Sequence, residues 1–124
     1  MNLARYVSNE LVELHLPPPA EPPDHPDLNL QKFYQRQKES YLAHFVELLD
    51  KSGKVLHTRK LLKDFVNRER QSSTGLENGI AIPHVRSRYV RDVMIAFARS
   101  TEGIEFDAID QQPSPVSYTH LTLP

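Results

Sequence analysis

Six prolines within residues 17–26 limit what this chain can fold into. Proline donates no backbone N–H and fixes φ, so this segment can be neither an α-helix nor a central β-strand. We expect an extended, polyproline-like connection. Residues 11–16 before it alternate like a strand, and residues 28–51 after it show helical periodicity. The prolines therefore predict a long spacer between a first strand and a first helix.

Two further patterns complete the expected fold. Thr58 is a plausible N-cap for a helix over residues 59–70, whose apolar stripe includes Leu61, Leu62, Phe65 and Val66. Residues 93–98 form a nearly continuous apolar run, as expected of a strand covered on both faces. Helices alternating with strands predict an α/β layered domain, with a mixed β-sheet flanked by α-helices.

Composition excludes several classes of protein. The chain has 124 residues, which is enough for one modest core. It contains no cysteine, and its six histidines show no ligand-like spacing on one helix, so we expect no metal site. No apolar run approaches the ~20 residues of a membrane span. The net charge of −1 argues against a nucleic-acid module, although residues 51–99 carry eleven Lys/Arg against four Asp/Glu.

The most informative segment for function is residues 75–84. A glycine-punctuated loop leads into the short apolar stretch 80–82, which Pro83 stops directly before His84. We expect Ile82 to be extended and His84 to lie just past the end of the strand. A neutral imidazole in such a place can act as a nucleophile toward a small anionic electrophile. The alternative is a histidine that merely caps an exposed turn.

The residues upstream favour the nucleophile. Arg68 offers a fixed cation, Ser73 and Thr74 offer hydroxyl groups, and Gly79 offers a loop N–H, which together suit a phosphoryl group. Each has a simpler interpretation: Arg68 as a solvated residue of a basic helix, and Ser73 and Thr74 as ordinary turn residues. For Arg86, a surface arginine is the simpler account.

These residues carry a resemblance. The quoted positions are Arg68-Glu69, Ser73-Thr74-Gly75 and Asn78-Gly79-Ile80-Ala81-Ile82-Pro83-His84. Together they resemble the active-site signature of the type-2 enzyme IIA domains of the bacterial phosphoenolpyruvate-dependent phosphotransferase system. That family has fructose-type, mannitol-type and nitrogen-regulatory members. Residues 104–113 are similar to the strand and turn that follow in the family.

The resemblance implies a function. His84 would accept a phosphoryl group from the histidine-containing phosphocarrier protein and pass it to a cysteine on an enzyme IIB domain. Arg68 would stabilise the phosphate, with Ser73, Thr74 and Gly79 as hydrogen-bond donors. No cofactor, nucleic acid or direct membrane insertion is implied, and the location would be cytoplasmic. The alternative is a nitrogen-type regulatory module whose phosphorylation state is read by partner proteins.

The C-terminal end departs from the family. Residues 1–113 are expected to form an incomplete enzyme IIA domain with an insertion at 17–26. Residues 114–124 resemble translated sequencing-adapter sequence and are predicted to be foreign. The family usually keeps a second histidine on a later strand, a place that His120 comes too early to fill. A third possibility is therefore an inactive fragment with an uncovered sheet edge.

Overall fold

The computed structural model describes residues 9–75, 80–104 and 114–122. A 3-10 turn at Asn9–Leu11 precedes the regular elements. Within these described ranges, the chain forms the elements β1 (Val12–Glu13), α1 (Leu30–Asp50), α2 (Thr58–Gln71), β2 (Ile80–Ala81), β3 (His84–Arg86), β4 (Met94–Ile104) and β5 (Ser114–Thr122).

The strands form one mixed sheet, which confirms the predicted fold class. The order is β1-β4-β5-β2, with β3 also paired to β5. Strand β1 runs parallel to β4, β4 runs antiparallel to β5, and both β2 and β3 run parallel to β5. Helices α1 and α2 contact each other, and they also contact β4 and β3 respectively. The helix pair therefore packs against the sheet, with α1 at β4 and α2 at β3.

Local chemistry sets the helix boundaries. The Asn29 side chain caps α1 by accepting the Lys32 N–H at 3.1 Å. The predicted N-cap of α2 is wrong by one residue: Thr58 is already helical, and His57 is the cap. His57 has an extended backbone, which leaves its Nδ1 within 3.4 Å of the Lys60 N–H. A histidine nitrogen thus takes the place of the hydroxyl oxygen that the sequence suggested.

The core lies between the helices and the sheet. Leu61 and Phe65 are buried as predicted, and Leu62 and Val66 pack partly buried against the same cluster. Buried apolar residues also come from the N-terminal segment, α1, β2, the segment before β4 and β4 itself. They are Leu11, Leu16, Tyr41, Leu42, Phe45, Val46, Leu48, Leu49, Ala81, Val90, Met94, Ala96, Ala98 and Ile104.

Strand β4 is covered unequally. Its inner residues Met94, Ala96 and Ala98 are buried, whereas Ile95 and Phe97 between them are only half-buried. The expectation of full cover on both faces is therefore wrong for the second face. The alternation is that of a strand with one face on the core and the other partly shielded.

The proline-rich segment has neither helix nor strand, as predicted. It is nevertheless tied to α1, because the Tyr41 hydroxyl donates to the Pro17 carbonyl at 2.6 Å and Gln37 donates to the Ala20 carbonyl at 2.9 Å. The preceding strand is shorter than the alternation at 11–16 predicted: β1 includes Val12 and Glu13, and beyond it the Leu16 N–H still donates to the Arg99 carbonyl of β4 at 3.0 Å.

The raised pKa of Tyr41 predicts that the protein loses stability in alkaline solution. Burial, and secondarily the charge of Glu102, raise the pKa of Tyr41 above its usual 10.0. A pKa that is higher in the folded state stabilises the fold fully below pH 10.0, and this contribution is lost as the pH rises through the folded value. At neutral pH, Tyr41→Phe should lower the free energy of unfolding by about 1 kcal/mol through the lost hydrogen bond. Urea unfolding should show this difference narrowing above about pH 10; a constant difference would contradict the assignment.

Candidate functional site

His84 begins a strand that continues the line of β2. The pairs Ile80↔Val116 and His84↔His120 keep one parallel register along β5, with Pro83 between them. Pro83 is fully buried and has no N–H for the ladder, so the strand is interrupted there and resumes at His84. The prediction that His84 lies past a strand end is thus corrected: it opens β3 and is exposed to solvent.

The ring of His84 is held through one nitrogen. Its Nδ1 lies 2.8 Å from the carbonyl oxygen of Ile82. A carbonyl can only accept a hydrogen bond, so Nδ1 must carry the proton in this contact. In the neutral ring, Nε2 then keeps its lone pair. The local backbone therefore selects the tautomer in which Nε2 is the nucleophilic nitrogen.

Arg68 reaches the same nitrogen from the last turn of α2. Its Nη2 lies 3.5 Å from Nε2 of His84, and its Nη1 donates to the Ser72 carbonyl at 2.8 Å. The structure thus brings together the two residues that the sequence proposed as nucleophile and cation. Because the second prong is fixed on Ser72, the guanidinium stands beside Nε2 with restricted freedom.

A buried carboxylate holds the loop that follows α2. Glu69 accepts the Thr74 N–H at 2.8 Å and the Thr74 hydroxyl at 2.6 Å, one on each carboxylate oxygen. Lys38 of α1 lies 2.7 Å from the first oxygen, and both charged side chains are at most 3% exposed. The two opposite charges therefore neutralise each other inside the protein.

The other proposed phosphate contacts have different places. Thr74 is 4% exposed and donates its only hydroxyl proton to Glu69, so it would have to give up that bond to reach a phosphoryl group. Ser73 Oγ accepts the Gly75 N–H at 3.1 Å and lies 3.5 Å from Lys38 Nζ. Gly79 lies outside the described residues. The observed contacts of Ser73 and Thr74 support the loop.

Sequence reasoning quoted Glu69 within the motif but assigned it no role, and it did not identify Lys38. Glu69 follows Leu61 and Phe65 at spacings of four, and Lys38 precedes Leu42 by four. Each charge thus lies on the apolar stripe of its helix. A charged residue on a stripe is a signal for a buried, paired group.

Strand β5 lies beside β3, which the sequence did not predict. Parallel pairing of β3 with β5 makes His120 the Cα partner of His84. The expectation that the place of the family's second histidine is unfilled stays a prediction. The prediction that 114–124 is foreign stays a prediction.

The arginines around the site differ in whether an acidic residue already binds them. Arg86 is exposed on β3, two residues from His84. Arg70 is bound to Glu39 at 2.6 Å, away from His84. Among the described residues, no group of three or more metal-binding side chains is assembled, and no helix is long and apolar enough to cross a membrane. The arginines next to His84 are therefore Arg68, beside its ring, and Arg86, on the same strand.

Comparison of the sequence with known proteins relates the chain to one family. The profile of a family described as "Phosphoenolpyruvate-dependent sugar phosphotransferase system, EIIA 2" matches residues 28–121. The chain is 40% identical over 79 residues to the fructose-specific EIIABC component of the phosphotransferase system of Bacillus subtilis. This match covers 64% of the chain but only 12% of that much longer protein.

Solved structures share the fold. Nitrogen regulatory protein IIA-Ntr from Neisseria meningitidis superposes with a TM-score of 0.78 at 23% identity, over 99% of this chain and 72% of that one. Enzyme IIA Mtl of Escherichia coli, solved in complex with phosphorylated enzyme IIB Mtl, superposes with a TM-score of 0.69 at 17% identity. That match covers 94% of this chain and 70% of the other.

The Glu69–Thr74 contact predicts a specific pattern of stability. Thr74→Val removes the buried hydroxyl donor and should lower the free energy of unfolding by about 1–3 kcal/mol. Thr74→Ser keeps that donor and loses one methyl group, which should cost about 1 kcal/mol. Urea unfolding of both variants measures the difference. A Thr74→Val variant as stable as the wild type would show that the hydroxyl bond to Glu69 contributes nothing to stability.

Proposed function

Because the chain belongs to the EIIA 2 family of the phosphoenolpyruvate-dependent sugar phosphotransferase system, we propose that it carries a phosphoryl group on Nε2 of His84. Domains of this family are phosphotransfer components. One observation carries the assignment to this residue: His84 is exposed, its Nδ1 is engaged by the Ile82 carbonyl, and Arg68 flanks its Nε2.

The chemistry requires little beyond position and charge. The Nε2 lone pair attacks the phosphorus of a phosphohistidine on the donor, a new P–N bond forms, and the donor's P–N bond breaks. The released electron pair returns to the donor imidazole. Because the transition state is loose, in-line alignment and neutralisation of the equatorial oxygens supply most of the catalysis. The proton stays on Nδ1 of His84 throughout, hydrogen-bonded to the Ile82 carbonyl.

Arg68 supplies the charge neutralisation in this proposal. Its Nη2 group lies 3.5 Å from Nε2, within the volume that an incoming phosphoryl group would enter. The Nη1 bond to Ser72 keeps the planar guanidinium oriented before the group arrives. Preorganised donors of this kind act most strongly where charge builds up during the reaction.

We propose as donor the histidine-containing phosphocarrier protein, and as acceptor a cysteine of an enzyme IIB domain. The solved complex of enzyme IIA Mtl with phosphorylated enzyme IIB Mtl supports an acceptor of that kind. The 40% identity with a fructose-specific component favours sugar transfer over a purely regulatory role. We propose that the exchange takes place in the cytoplasm. In the alternative, a regulatory module, phosphorylated His84 would be read by partner proteins and not discharged.

Labelling tests the phosphoacceptor. The protein is incubated with labelled phosphoenolpyruvate, enzyme I and the phosphocarrier protein. We expect acid-labile, base-stable label on the wild type and none on His84→Ala, because a nitrogen–phosphorus bond is cleaved by acid. His57→Ala is the matched control and should label normally, since His57 caps α2 and its ring contacts Tyr89. Undiminished labelling of His84→Ala would refute the assignment.

A chase experiment distinguishes the sugar-transport role from the regulatory role. The isolated labelled protein is mixed with the enzyme IIB domain of a fructose-type system. Transfer of label to that domain supports sugar transport, and retention of label on His84 favours the regulatory alternative.

The Arg68 geometry predicts a large kinetic effect. Arg68→Ala should slow phosphorylation by about 10²- to 10³-fold, the usual loss for one preorganised charge-stabilising donor. Arg68→Lys should recover only part of this, because an ammonium cannot fork between Ser72 and Nε2. Single-turnover labelling measures the rates. Arg70→Ala is the control, because Arg70 is bound to Glu39. Similar rates for the Arg68 and Arg70 alanine variants would remove Arg68 from the site.

A further inference from the structure

A continuous series of hydrogen bonds leads from the buried Glu69 to the ring of His84. Glu69 holds the Thr74 N–H and hydroxyl at 2.8 and 2.6 Å. The Thr74 carbonyl accepts the Ile82 N–H at 2.9 Å. The Ile82 carbonyl then accepts Nδ1–H of His84 at 2.8 Å. Three short contacts therefore separate the carboxylate from the phosphoacceptor ring.

The same loop also serves the cation. Arg68 is fixed on the Ser72 carbonyl, two residues before Thr74. A displacement of the 72–75 loop would therefore move the Arg68 anchor and the Ile82 anchor together. Glu69 is the carboxylate that bonds this loop at Thr74, and Lys38 lies 2.7 Å from that carboxylate.

A charged pair is an unusual choice for such a place. Both side chains are at most 3% exposed, and desolvation makes a buried ion pair weak as a source of stability. An apolar pair of similar volume would pack there without that penalty, but it could not bond the Thr74 N–H and hydroxyl. The carboxylate is therefore better explained by what it positions.

We propose that Glu69, held by Lys38, is a positioning residue that sets the orientation and tautomer of His84 through Thr74 and Ile82. The inference rests on the proposed function for its effect on phosphoryl transfer. Its effect on the ring stands independently of that function. Misplacement of a reacting group by about 1 Å can slow a reaction by about 10²-fold, so a loosened loop should be visible in the rate.

The test compares two carboxamide variants. Glu69→Gln removes the negative charge from the series with little change in volume. Glu39→Gln is the matched control: Glu39 also joins α1 to α2, through Arg70, but the pair is more exposed, at 60% and 19%, and it does not bond the 72–75 loop. Thr74→Val removes the hydroxyl bond of the same Glu69–Thr74 contact and serves if Glu69→Gln does not fold.

Two readouts are taken on folded protein, as checked by urea unfolding. The first is the single-turnover rate with the phosphorylated phosphocarrier protein. The second is the imidazole ¹⁵N NMR spectrum of His84 at about pH 8.5, where a typical imidazole is neutral. We expect wild type and Glu39→Gln to show the Nδ1–H tautomer and equal rates within about twofold. Glu69→Gln should shift the ring toward the Nε2–H tautomer and slow transfer by about 10- to 10²-fold.

Either the tautomer or the rate can overturn the proposal. Wild-type tautomer or wild-type rate in folded Glu69→Gln would overturn the proposal, as would an equal loss in Glu39→Gln. If the wild type accepts no label, the proposed function fails, and the NMR spectrum alone decides whether Glu69 positions the ring.

Discussion

The arrangement of the site depends on the contacts of one buried carboxylate, that of Glu69. It lies between a cation from α1 and the backbone and hydroxyl of Thr74, so it joins both helices to the loop that follows α2. Without a negative group there, the Lys38 charge and the Thr74 N–H would lose a buried partner together. The contacts that place Arg68 and His84 start from this loop. The Ser72 carbonyl holds Arg68 directly, and the Thr74 carbonyl holds the Ile82 N–H, whose own residue's carbonyl holds His84.

Pro83 provides the second constraint. It interrupts the line formed by β2 and β3 without changing their register against β5. The chain can thus stay in the sheet on both sides while His84 starts a new strand with an exposed side chain. A residue with an N–H at this position could join the ladder and extend the regular strand. The proline therefore separates the buried Ala81 from the exposed His84, the proposed nucleophile.

The sequence predicted the features that follow from local pattern. Helical periodicity, the apolar run of β4 and the irregular proline-rich segment were visible because each depends on neighbouring residues. Arg68 and His84 were recognisable because residue types and spacing carry the motif. The pairing of His120 with His84 was not, since register between distant strands is a tertiary property. The capping nitrogen of His57 was missed because histidine is an uncommon N-cap, and the tautomer of His84 depends on the direction of one carbonyl.

Adjacent positions on one helical turn explain how the two halves of the site stay together. Successive helical residues point about 100° apart, so Arg68 and Glu69 can face different surroundings from the same turn. Arg68 is partly exposed and meets Nε2 of His84, whereas Glu69 is buried and meets Thr74. A shift of α2 would therefore move the cation and the loop anchor in concert. Such coupling keeps the distance between guanidinium and imidazole insensitive to small helix motions, which suits a site whose chemistry depends on alignment.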